Sequence, residues 1–175
     1  MKNIYIILSQ SGTGISRLLQ FFSRKEYNHS SLSLDISLNE FYSFGRKKTN
    51  NFLVGGFVIE HKDKGVFAKF PNTPCTILEI SVDDKQYKKS QEIINDFIAN
   101  KNVYKYSFLG VPLVHSKITI RRKNKFFCSQ FVGYVLNLIG IKTVKAPEHL
   151  EPIDFMEIEN SKIIYKGYLQ DYSSI

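Results

Sequence analysis

Two residues of the 175-residue chain pair a reactive side chain with a position that could use it, Cys128 and His29. Cys128 lies in Phe126-Phe127-Cys128-Ser129-Gln130-Phe131-Val132, where a helix is predicted to begin. The unpaired backbone N–H groups and the dipole of a helix N-terminus favour a thiolate over a thiol. The same N–H groups could hold the oxyanion of a tetrahedral intermediate. The competing reading is a small cysteine buried in the core. His29 opens His29-Ser30-Ser31-Leu32-Ser33-Leu34, a strand whose alternation puts His29, Ser31 and Ser33 on one face and both leucines on the other. An imidazole on that polar face could take the thiol proton and later protonate a leaving group. Its competing reading is an exposed histidine at a strand end. A third group should orient the ring. Glu40, expected on the next strand across a turn near Asp35 to Asn39, is the candidate. Tyr42 is the alternative orienter, or else a cross-strand packing aromatic.

These residues need elements to carry them. Residues 3–8 read as a buried strand, and Ile15, Leu18, Leu19 and Phe22 form the stripe of a helix capped by Thr13. The histidine strand and residues 40–44, a second strand ending at Gly45, are predicted to form an antiparallel hairpin with a slightly long loop. Further strands are predicted at 53–60, 65–70 and 75–82. Asp83 and Gln86 make a capping box for a helix whose core face is Tyr87, Ile94, Phe97 and Ile98. Residues 104–114 read as irregular. Cys128, Phe131, Val132, Val135, Leu136 and Ile139 share one face of the last helix, which Gly140 ends. A strand near 162–168 closes the chain. This order predicts an α+β domain spanning residues 1–175, with the cysteine helix packed against an antiparallel sheet or half-barrel.

Two stretches carry a family resemblance. Thr13-Gly14-Ile15-Ser16-Arg17-Leu18-Leu19-Gln20-Phe21-Phe22, followed by Tyr27-Asn28-His29-Ser30-Ser31-Leu32-Ser33-Leu34, resembles the front of the circularly permuted papain-like enzymes. These are the YiiX-like branch of the NlpC-type peptidases, relatives of the lecithin:retinol acyltransferases. Phe126 to Leu136 resembles their nucleophile helix, in which an aromatic precedes a Cys-Ser-polar-apolar-Val run. The order of histidine before cysteine also matches the permuted branch. The resemblance covers about residues 3–45 and 104–140. It implies a papain-like fold, Cys128 as nucleophile, His29 as general base and Glu40 as the polar third residue. It implies a cysteine-dependent hydrolase or acyltransferase for an amide, peptide or ester bond, working through an acyl-enzyme without a metal or cofactor. The alternative on the same fold is a non-catalytic module that binds a peptide or lipid headgroup.

Composition narrows the partners. Net charge is +8, which allows weak association with anionic surfaces. The basic run Arg121 to Lys125 lacks the interleaved aromatics of a single-strand binder, so nucleic acid is not expected. Two cysteines and four scattered histidines suggest neither a disulfide framework nor a zinc site. Cys75 reads as a core residue, and His61, His115 and His149 as surface histidines. Gly55-Gly56 is no phosphate loop, because no Gly-Lys-Ser/Thr follows. The apolar run at residues 4–8 is short for a signal segment, so a cytoplasmic location is expected.

Overall fold

In the computed structural model, residues 1–10, 26–48, 51–108, 114 and 123–174 are described. The helix expected around Thr13 to Phe22, the basic residues Arg121 and Arg122, and His115 lie outside them. The architecture is α+β. Strands β1 (Lys2–Ser9), β2 (His29–Ser33), β3 (Phe41–Lys48), β4 (Asn51–Glu60), β5 (Pro74–Val82) and β8 (Ser161–Tyr168) form one sheet in the order β4-β3-β2-β1-β5-β8. Every neighbouring pair in it is antiparallel. A short parallel pair, β6 (Lys105–Tyr106) and β7 (Lys125–Phe126), leads into the cysteine helix.

β1 is the centre because it is apolar on both faces. Ile4, Ile6 and Leu8 point into one cluster, while Tyr5 and Ile7 point into another. Strict alternation divides the whole sheet this way. The first face is covered by α2 (Asp84–Ala99) and α3 (Cys128–Leu138). α2 opens on the capping box of Asp83 and Gln86 and buries Ile93, Ile94 and Phe97. α3 buries Phe131, Val132, Val135 and Leu136 completely. Each such side chain contributes about 1.5–3 kcal/mol, so the helix is anchored by its length and its first residue is held at a fixed place on the sheet. Gly140 adopts φ +83° just beyond the helix, the left-handed conformation that ends helices.

The second face has its own layer. Leu38, Phe41, Cys75, Ile77, Leu169 and Tyr172 bury against it together with Phe67. Phe67 belongs to α1 (Gly65–Lys69), a short helix where the sequence predicts a strand at 65–70. Val-Phe-Ala-Lys-Phe is too short for its apolar pattern to separate the two periods. Gly65, at φ +62°, starts the helical turn. Among the described residues no helix is long and apolar enough to cross a membrane.

Candidate active site

The cysteine and the histidine meet. α3 begins at Cys128, and its N-cap Phe127 is extended, with no side chain capping the first turn. The amides there stay free for other acceptors. The Ser129 N–H turns back on the Cys128 sulfur, and the Ser30 N–H approaches it from β2. Ser30 can serve it because the regular β2–β3 pairing is carried by Leu32 and Tyr42. One residue pair nearer the strand start, the Ser43 hydroxyl donates to the Ser30 carbonyl at 2.7 Å in place of a ladder bond. The helix mouth thus takes a backbone donor that a continuous ladder would have used.

His29 lies within hydrogen-bonding reach of the same sulfur. Its Nε2 donates to both oxygens of Glu60, at 3.0 and 3.1 Å. That leaves Nδ1 as the ring nitrogen for sulfur. The Ser31 hydroxyl donates to Glu60 Oε2 at 2.6 Å, fixing the carboxylate from the strand that carries the histidine. Phe67 packs against the imidazole with ring centroids 6.5 Å apart. The side chains of His29 and Glu60 are only 13% and 14% exposed, so their attraction is weakly screened.

The electrostatics follow from this packing. Burial acts most strongly on His29 and favours the neutral ring. The Glu60 charge, the bond to Cys128 and the bond to Glu60 together outweigh it and hold the imidazole pKa well above its usual value. For Cys128, burial likewise opposes the charged form most. The His29 bond and charge, with the Ser30 and Ser129 amides, overcome it and bring the thiol below its usual range. Both directions favour the thiolate–imidazolium form over the neutral pair. Tyr106 adjoins this pair. Burial first, then the Cys128 charge, pushes its phenol up, while Arg46 opposes them. The phenol therefore remains a hydrogen-bond donor at neutral pH.

Glu40 does not join the site, which corrects the expected third residue. The Leu32–Tyr42 register sets Glu40 opposite Leu34 and His29 opposite Gly45. Glu40 is thus five strand positions from the imidazole, about 17 Å at the rise of a strand. It accepts instead from Tyr42 Oη at 3.3 Å. Tyr42 is the packing aromatic, stacked on Phe57 with ring centroids 6.3 Å apart. Glu60 reaches His29 from the strand beyond β3, passing Gly45. A Cβ on Gly45 would lie 3.9 Å from both Glu60 Oε1 and His29 Cε1. One signal for Glu60 was present in the sequence. It is the lone carboxylate of the strand Asn51–Glu60, and alternation puts it on the face opposite Phe57 and Ile59.

Gly55-Gly56 has a packing role. A Cβ on Gly55 would come within 2.7 Å of Tyr106 Cβ, and one on Gly56 within 2.5 Å of the Tyr104 carbonyl. The paired glycines let β6 cross close over β4 and bring Tyr106 to the site. Of the other histidines, His61 bonds the Asn39 carbonyl through Nδ1 at 2.6 Å and His149 the Val114 carbonyl at 3.2 Å. Compared with family models, curated proteins and solved structures, the chain matches none.

Proposed function

We propose that the chain is a cysteine-dependent hydrolase or acyltransferase with a circularly permuted papain-like fold. The observation that carries this reading is the convergence of Cys128, His29 and Glu60 at the N-terminus of α3. The thiolate of Cys128 attacks an amide, peptide or ester carbonyl, and the tetrahedral oxyanion is held by free amides of the helix's first turn. The imidazolium of His29 gives its proton to the leaving group, and an acyl-enzyme remains. Water, or a second nucleophile, then gives a proton to the neutral imidazole and releases the acyl group from sulfur. Glu60 keeps the ring oriented and stabilises its charged form. No step calls for a metal or cofactor.

The test is an activated ester such as p-nitrophenyl acetate. Intact-mass and peptide analysis should find an acyl group on Cys128 that hydroxylamine removes, formed far more slowly in His29→Ala. A binding module would leave the sulfur unmodified, and that result would overturn the assignment.

A further inference from the structure

A cleft of about 500 Å³ opens beside Glu60 and Phe67, the two side chains that hold the His29 ring. Arg46, Lys47, Lys64 and Lys101 line it, and among the described residues Glu60 is its only carboxylate. That carboxylate is already taken by His29 and Ser31. The cleft is therefore left with an excess of positive charge and no free carboxylate among its described residues to match it. Lys47 is held in place by donating to the Lys101 carbonyl at 2.8 Å.

Arg46 makes the mismatch specific. Its Nη2 is buried and finds no hydrogen-bond partner among the described residues. A buried guanidinium nitrogen without an acceptor carries a desolvation cost, which turning the guanidinium toward an anion in the cleft would remove. The planar fork of arginine suits the paired oxygens of a carboxylate or phosphate. Arg46 is also close to the reacting end. It pairs with Gly55 across β3 and β4, and Tyr106 lies where a Gly55 side chain would be. Tyr106 is within electrostatic reach of both the guanidinium and the Cys128 sulfur. The cleft thus flanks the reactive pair on its Glu60 side, and Arg46 joins its wall to Tyr106.

We infer that this cleft binds an anionic group of the substrate, a carboxylate or a phosphate, while the scissile acyl bond is presented to Cys128. This inference rests on the acyl-transfer reading above for its catalytic half, and on the cleft alone for its binding half.

Three p-nitrophenyl esters of one acyl length test it, ending in a methyl, a carboxylate or a phosphate. The charged esters should have kcat/KM about tenfold or more above the neutral one, the worth of one charge-assisted hydrogen bond. That ratio should fall about tenfold in Arg46→Gln and severalfold in Lys64→Gln, whose exposed side chain can be replaced without disturbing the fold. The better of the two charged esters identifies the chemistry the cleft takes. A ratio near one, or one unchanged in both variants, overturns the inference. Should no ester turn over, the acyl-transfer reading fails on its own. The cleft is then decided by titrating inorganic phosphate and following backbone amide shifts at Arg46, Gly65 and Lys101. Saturable shifts that Arg46→Gln and Lys64→Gln each weaken support an anion site, and their absence, or their persistence unchanged in both variants, overturns it.

Discussion

The two cysteines of this chain are both buried, and their surroundings drive them in opposite directions. Cys75 sits in β5 among Tyr5, Ile7, Ile77 and Phe67, and burial alone pushes its thiol up to about 12. Cys128 is buried to a similar degree, at 6% exposed against 2%. Its pKa nevertheless moves down, because an imidazole and two backbone amides face the sulfur. Burial therefore does not decide whether a cysteine is inert. What decides is whether the elements around it supply donors and a cation that cost less to arrange than the desolvation they offset. A strand interior spends its amides on the ladder. A helix N-terminus at a gap between two strands has amides left over.

That contrast can be broken or sharpened by substitution. The largest effect is expected from His29→Ala, which removes both the cation and the base. Acyl-enzyme formation should fall about 10²- to 10⁴-fold, and the Cys128 thiol should move up toward the behaviour of Cys75, as read by alkylation rate. Glu60→Gln keeps a hydrogen-bond partner and removes the charge, so turnover should drop about 10- to 100-fold. Its pH profile has a defined sign. Without Glu60 the imidazolium loses its proton at lower pH. The alkaline limb of the active window should therefore move down, while the acid limb, set by Cys128 beside a still-protonated His29, should stay in place. Cys75→Ser places a hydroxyl in an apolar cluster and should cost about 1–3 kcal/mol of stability in urea unfolding, with acyl-enzyme formation unaltered. Glu40→Gln should leave both turnover and its pH profile unaltered, since its carboxylate bonds Tyr42 rather than His29.

Much of this was legible from residue order. The alternation of His29 to Leu34, the apolar stripe of Cys128 to Ile139 and the capping box at Asp83 each depend on short-range periodicity, and each appears where expected. The third residue was only faintly legible, through the lone carboxylate of Asn51–Glu60. Glu40 is nearest in sequence across the hairpin, yet the register decides which residue reaches the ring, and no local pattern fixes a register. Glu60 becomes a partner because β4 ends beside the histidine, across Gly45 of β3. Gly55-Gly56 shows the same limit, since the reason for both glycines is a chain segment some fifty residues later. The second face of the sheet, with α1 and the C-terminal residues over it, was likewise hidden, because strands apolar on both sides do not announce what covers them.

The central claim is that sulfur and imidazole form an ion pair at rest. The most direct measurement follows iodoacetamide modification of the native protein across pH, with Cys128 and Cys75 peptides quantified separately by mass spectrometry. Cys128 should react with an inflection clearly below the ordinary thiol value of about 8.5, while Cys75 stays unmodified until the protein unfolds. Reaction of Cys128 only at or above that ordinary value, with a profile that His29→Ala leaves in place, would contradict the ion pair.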